Sequence, residues 1–211
     1  MFKSHRLFLH EFRANFFHMG TILPSSSALG QAGSAYIAQK ALPIQVLEAG
    51  AGTGSFTREI IPHLKPGDAL DAVEINPKLI NFLDQRIKLD LDFARQTGDI
   101  RLINADLLQF PFDTQYDYIV FVLPLTNFPT QMVQDVLTIM MDHLKPGGVF
   151  SYVKYAFIGK LKYWLAGKET RTEMNATQTV IHSFAKQYQF ERRIVWANVP
   201  PTWVYYWRKP V

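Results

Sequence analysis

Val46-Leu47-Glu48-Ala49-Gly50-Ala51-Gly52-Thr53-Gly54-Ser55-Phe56-Thr57 decides how the rest of this chain is read. An apolar β-type run, Ile44 to Leu47, leads into glycines at alternate positions, and Phe56 to Ile61 then suits a helix. Glycine lets the backbone take conformations that other residues avoid and lets a ligand approach the main chain. The first turn of a new helix offers unpaired N–H groups to an anion. Strand, glycine turn and helix together make a ligand site.

The turn is not the dinucleotide fingerprint G-x-G-x-x-G. Gly50, Gly52 and Gly54 make G-x-G-x-G, and Ser55 stands where a third fingerprint glycine belongs. Glu48, just before the turn, would repel a pyrophosphate and attract an ammonium or sulfonium cation, directly or through water. A second acid, Glu74, ends the next apolar run, Ala69 to Val73, about twenty residues after Gly54, the spacing used to hold a ribose diol. Leading acid, glycine turn and trailing acid together resemble the S-adenosylmethionine (SAM) site of class I methyltransferases. That resemblance implies SAM as cofactor, with Glu48, Ala49, Gly50, Gly52 and Gly54 at the turn and Glu74 and Ile75 after the second strand. It also implies Asp106 and Leu107 after a third strand, where these enzymes bind the adenine amino group; on its own, Asp106 reads equally as a loop or cap residue.

Composition bounds the class without naming a substrate. The 211 residues suit one domain, 1–211, with residues 1–41 as a helical extension ahead of the first strand, and a chain this long buries roughly 70% of its unfolded surface. Hydrophobic content of 48% against 19% charged residues fits a packed core. The chain has no cysteine, which removes disulfides and thiolate metal sites and fits a reducing compartment. Its six histidines lack ligand spacing, so no metal site is expected. Apolar residues near the amino terminus are broken by His10, Glu11 and Arg13, which leaves neither a signal-peptide core nor a membrane-spanning run. The expected location is cytoplasmic, with peripheral association at the inner face of the membrane. A formal charge of +4 favours an anionic partner, and nucleic acid and an anionic lipid surface both answer to it.

Residues 1 to 19 read as a helix with Phe2, Phe8, Phe12 and Phe16 on one side and Lys3, Arg6, His10 and Arg13 beside it. Such a helix either lies in a membrane interface or packs on its own domain. Ser25 to Ser27 cap a helix over Ala28 to Ala41, and Pro43 closes it. After the second strand, Pro77 starts a helix to about Leu91, followed by strands at Ile100 to Asn104 and Tyr116 to Leu123. A helix from Thr130 to Leu144 closes at Lys145-Pro146-Gly147-Gly148, ahead of a fifth strand, Val149 to Lys154. From Tyr155 to Arg171, Tyr155, Phe157, Tyr163 and Trp164 interleave with Lys160, Lys162, Lys168 and Arg171. That pattern suits a lipid headgroup region or a stacked single strand of RNA. A polar helix, Met174 to Tyr188, precedes strands at Phe190 to Val199 and Thr202 to Lys209, joined by Pro200-Pro201. The expected fold is α/β, a Rossmann-like, seven-stranded, mostly parallel sheet with a terminal antiparallel strand pair and N-terminal helices.

Three segments sharpen the resemblance: Met19-Gly20-Thr21-Ile22-Leu23-Pro24-Ser25-Ser26, Val122-Leu123-Pro124-Leu125 and Trp196-Ala197-Asn198-Val199-Pro200-Pro201 look like those of bacterial phospholipid N-methyltransferases. This implies transfer of methyl groups from SAM to the amine of phosphatidylethanolamine, a phospholipid substrate met at an anionic membrane surface. The rRNA adenine dimethyltransferases are related, but Val122 and Leu125 replace the Asn and the aromatic ring that would hold a flipped adenine, which makes nucleic acid the weaker partner. A SAM-binding module without turnover is the third reading. Methyl transfer is an in-line displacement, so the protein must align amine, methyl and sulfur and exclude water. Carbonyls near Leu123 and Pro124 are placed to orient the amine lone pair, and Tyr152, Tyr155 or water to take its proton. Aromatic faces would tolerate a quaternary ammonium product.

Overall fold

The structure, a computed structural model, describes residues 25–39, 43–89 and 98–211. The helix expected over residues 1 to 19 lies outside them, as do the tails of the helices expected to reach Ala41 and Leu91. Seven strands are described: β1 Gln45–Ala49, β2 Ala69–Glu74, β3 Asp99–Asn104, β4 Tyr116–Phe121, β5 Leu144–Tyr155, β6 Gln189–Val195 and β7 Thr202–Arg208. They form one sheet in the order β3-β2-β1-β4-β5-β7-β6. Pairing is parallel from β3 to β5, and β7 alone runs against its neighbours, antiparallel to both β5 and β6. The strand order reverses between β1 and β4, so the loops leaving these two strands diverge and open a crevice at their carboxyl ends.

Helices cover both faces because the central strands are apolar on both sides: in β1, Val46, Leu47, Glu48 and Ala49 are all buried. On one face lie α1 (Ser27–Gly33), α2 (Thr57–Ile60) and α3 (Pro77–Leu89), which contribute Leu29, Ile60 and Leu83 to a core with Val46, Leu70 and Tyr118. On the other lie α4 (Thr130–Asp142) and α6 (Lys168–Tyr188), whose Met132, Val136 and Ile181 pack with Phe121, Phe150 and Trp207. Between β5 and α6 runs α5 (Ile158–Leu165).

Ser26 is the N-cap of α1, its Oγ accepting the Leu29 N–H at 3.2 Å. This short helix is pinned to the sheet by its carbonyls: Ser151 Oγ donates to Gly33 O at 2.8 Å and the Tyr206 hydroxyl to Ala32 O at 2.6 Å. A Cβ on Gly33 would lie 2.4 Å from the Phe56 ring, so glycine sets how closely α1 and the residue before α2 approach.

Several element boundaries move from their expected places. β1 continues through Glu48 and Ala49 rather than ending at Leu47. Lys145 to Gly148 is an irregular start of β5 and not a helix closure. Lys145 Nζ bonds Asp117 on β4 at 2.7 Å, while Gly147 N–H and Gly148 O exchange hydrogen bonds with Lys209 beyond β7. The irregular stretch expected to run to Arg171 instead holds α5 and the first turn of α6, which starts at Lys168 and not at Met174. Arg171 turns back to donate to the Tyr163 and Trp164 carbonyls, so this cation terminates α5. β6 stops at Val195, because Trp196 to Pro201 forms the turn into β7.

Candidate active site

The crevice is floored by the glycine turn, and each glycine in it has positive φ: Gly50 at 88°, Gly52 at 57° and Gly54 at 86°. The three differ in what faces them. A Cβ on Gly50 would stand 2.6 Å from Leu123 Cδ2, and one on Gly54 would stand 2.4 Å from Leu83 Cδ1, so both are locked by packing. At Gly52 the nearest atom to such a Cβ is a backbone oxygen 3.9 Å away, which leaves the middle of the turn open on its outer side.

Two acids lie at this turn. Glu74, at the end of β2, accepts the Gly52 N–H at 3.0 Å and the Asn76 N–H at 2.9 Å, while Asn104 on β3 donates to its main-chain carbonyl at 2.9 Å. Glu48, fully buried at 0% exposure, accepts from Thr57 Oγ1 at 2.7 Å through Oε2. Its Oε1 has no hydrogen-bond partner among the described residues. Burial pushes the Glu48 carboxyl up to about 8; hydrogen bonds from Thr57 pull the other way, and the negative charge of Glu74 adds to the rise. Thr57 and Asn104 escaped sequence reasoning, since a threonine opening a helix and an asparagine ending a strand read as ordinary structural residues. The signal available was the pairing of Thr57 with an unexplained acid nine positions earlier.

Asp106 accepts from the Leu108 N–H at 3.0 Å and from Gln109 Nε2 at 2.9 Å, which is the geometry of a turn cap. Leu107 is buried and Ile75 packs on the same core. Leu123 closes over Gly50, and the loop leaves β4 with the Val122 N–H bonded to Ala49 O at 3.0 Å, so β1 and β4 separate at this point. Pro124 O accepts the Asn127 N–H at 2.9 Å as the chain turns toward α4. A hollow of about 440 Å³ lies beside this loop, between Phe128, Pro129 and the first turns of α6. Glu173 on its rim accepts from the N–H and hydroxyl of Thr130, which holds its carboxyl below the usual range and caps the start of α4.

The two tyrosines separate. Tyr152 is 3% exposed and stacks on Tyr205 with ring centres 4.8 Å apart, inside the aromatic core. Tyr155 is 37% exposed at the end of β5. Burial raises both phenols above their ordinary range, so both stay protonated at neutral pH. Phe157, Trp164, Leu165, Trp196 and Val199 are exposed as well. Ala156 N–H bonds Pro201 O at 2.9 Å and the Phe157 and Trp196 rings lie 6.4 Å apart, so the end of β5 and the β6–β7 turn form one surface. Asn198 ties that turn to α1: its Oδ1 accepts the Ser26 N–H at 2.9 Å, and its Nδ2 donates to Pro200 O and Thr202 Oγ1.

The comparisons fall in line with this geometry. A family profile described as a methyltransferase domain matches residues 47–150. An ornithine lipid N-methyltransferase of Singulisphaera acidiphila is 28% identical over 151 residues, covering 72% of this chain and 78% of that protein. The N-methyltransferase NodS of Bradyrhizobium japonicum WM9, solved in complex with S-adenosyl-L-homocysteine, superposes with a TM-score of 0.61 at 20% identity over 88% of this chain and 86% of its own. An rRNA methylase from Streptococcus thermophilus superposes at 0.58 with 12% identity, over 85% of this chain and 95% of its own. Residues 47–150 are a SAM-dependent methyltransferase domain, set in a Rossmann-like, seven-stranded sheet of the methyltransferase fold. S-adenosylmethionine is its cofactor, and the open turn at Gly52 with the partnerless Glu48 Oε1 beneath it fits a cationic ligand. The fold does not choose the substrate, since an N-methyltransferase and an rRNA methylase both share it.

Proposed function

We propose that this methyltransferase acts on the primary amine of a phospholipid headgroup, phosphatidylethanolamine, while resting on a membrane surface. The observation that carries the reading is the set of exposed large apolar side chains after β5 and in the β6–β7 turn, Phe157, Trp164, Leu165, Trp196 and Val199, with the Phe157 and Trp196 rings 6.4 Å apart. A folded domain gains nothing by exposing large apolar side chains side by side unless another apolar phase covers them. Among the described residues no helix is long and apolar enough to cross a bilayer, so that phase is met from its surface. Similarity to an ornithine lipid N-methyltransferase supports a lipid amine as acceptor. Residues 1–211 act as one domain in this reading, with 1–41 as an extension beside the lipid and the cytoplasmic leaflet as the surface. RNA is disfavoured by Val122 and Leu125, which supply neither an amide nor a stacking ring for a flipped base.

The mechanism assigns positioning to the protein. Bound SAM supplies an electrophilic methyl group on a sulfonium. Gly50, Gly52 and Gly54 shape the turn that holds it, Glu48 and Ala49 underlie its charged end, Glu74 and Ile75 hold the ribose, and Asp106 and Leu107 hold the adenine. Leu123 and Pro124 line the approach of the amine, and their carbonyls orient its lone pair. A phospholipid amine is protonated at neutral pH and must lose its proton first. Tyr152 and Tyr155 remain protonated, so the sequence expectation that one of them takes this proton gives way to water as acceptor. Tyr155 keeps a part in lining the approach, where its ring face, with Phe157 and Trp196, attracts a methylated ammonium. The test is to supply phosphatidylethanolamine vesicles with labelled SAM: label in the lipid supports the proposal, and label confined to added RNA overturns it.

A further inference from the structure

Two buried side-chain atoms lack a hydrogen-bond partner among the described residues, Glu48 Oε1 and Trp207 Nε1. Trp207 belongs to the aromatic core with Phe150, Tyr152 and Phe184. Glu48 is different, because it sits directly before a ligand turn whose middle is open. Thr57 engages one carboxylate oxygen and leaves the other without a donor. A buried carboxylate in that state is costly, and a protein relieves the cost by neutralising the group or by bringing up a cation.

We propose that Glu48 is the neutral acid in the empty site and releases its proton when a cationic group of the cofactor settles on the glycine turn. The step balances: the O–H bond at Oε1 breaks, the proton passes to buffer, and the new carboxylate pairs with the incoming positive charge. Glu48 is thereby a specificity residue that reads the charge of what binds. The inference rests on SAM being the cofactor and is independent of the lipid reading.

No cation among the described residues hydrogen-bonds Glu48 Oε1, and the cation that α3 brings to the turn, Arg86, donates to the Thr53 carbonyl at 3.0 Å. Glu74 on β2 is negative and favours the neutral form. On the same face of β4, the Tyr118 hydroxyl is bonded to the Tyr36 carbonyl. On α2, Arg58 is exposed and Glu59 accepts from Ser27 on α1, a helix with no titratable residue of its own. On β5, Ser151 is committed to Gly33 O. Burial raises the acid to about 8, which favours its neutral form at pH 7.

The test is calorimetric titration of the cofactor-free protein at pH 7 with SAM and with S-adenosyl-L-homocysteine, in buffers of different ionisation enthalpy. The dependence of observed heat on buffer counts the protons. Close to one proton released per SAM bound is expected, with Kd falling by up to about tenfold per unit between pH 6 and pH 7.5. Release with SAM alone identifies the sulfonium as the paired cation; release with both ligands identifies the ammonium they share. Glu48→Gln, checked for folding by its thermal transition, should bind without proton release and with a flat pH profile. Absence of proton release from the unmodified protein with SAM overturns the proposal without recourse to the variant, and so does undiminished release from Glu48→Gln.

Discussion

Gly50 carries two constraints at once, a positive φ and Leu123 Cδ2 at 2.6 Å from any Cβ placed on it. Gly50→Ala must therefore strain the turn or push away Leu123. We expect SAM affinity to fall at least about tenfold, roughly 1.4 kcal/mol, in a binding titration, with the fold retained. Glu48 gives a second prediction at this scale. Its carboxyl lies near 8 in the folded state against 4.5 ordinarily, so the native chain holds a proton that the unfolded chain has lost. That contribution is complete below about pH 4.5 and is lost as pH climbs through about 8. Cofactor-free protein should lose on the order of 2 kcal/mol of stability between pH 6 and pH 8, and Glu48→Gln should lose much less, as read by denaturant melts. The acids were legible because their offsets from the glycines are a chemical pattern in one dimension. Thr57 and Asn104 were not, because their roles exist only once α2 and β3 are placed against β1 and β2.

Elements were legible in kind and less so in extent. The alternation of apolar runs with helical periods made the strands legible, most plainly β1, β2 and β4, which are buried along nearly their whole length as continuous runs. Boundaries slipped where a tertiary contact decided them: Lys145 joined β5 through Asp117, and α6 began six residues early because Arg171 bonds back to α5. The network across β2, β3 and β4 was equally invisible. Asp71, 1% exposed, takes two hydrogen bonds from Arg101 at 2.6 and 2.7 Å and one from the Tyr116 hydroxyl at 2.8 Å. Arg101→Met would leave Asp71 with Tyr116 alone. Loss of a buried pair costs about 3–5 kcal/mol, and because the Arg101 side chain is half-exposed we expect about 2 kcal/mol by thermal or denaturant melts. The β6–β7 turn and the end of β5 make the next prediction. Phe157→Ala with Trp196→Ala should weaken co-sedimentation with phosphatidylethanolamine–phosphatidylglycerol vesicles by at least about tenfold, with SAM affinity unchanged.

At the scale of the whole molecule, fold and cofactor share an origin. Reversing the strand order between β1 and β4 opens the crevice, and the glycine turn and the Leu123 loop are the two connections that leave there. Sequence resemblance also joined three distant segments, and two of them meet: Asn198 in the β6–β7 turn holds the Ser26 N–H at the start of α1, 172 residues away. The substrate is the part that neither periodicity nor topology dictates, since sheet order is common to methyltransferases with different acceptors. The proposed lipid acceptor rests instead on the exposed apolar side chains after β5 and in the β6–β7 turn, and on a β4 loop that lacks the ring and amide a base would need. The most direct test gives the protein labelled SAM together with phosphatidylethanolamine vesicles and total RNA in one reaction, then separates lipid from nucleic acid. Label is expected in methylated phosphatidylethanolamine, dependent on the vesicles, with none above background in RNA; label in RNA with unlabelled lipid would overturn the lipid reading.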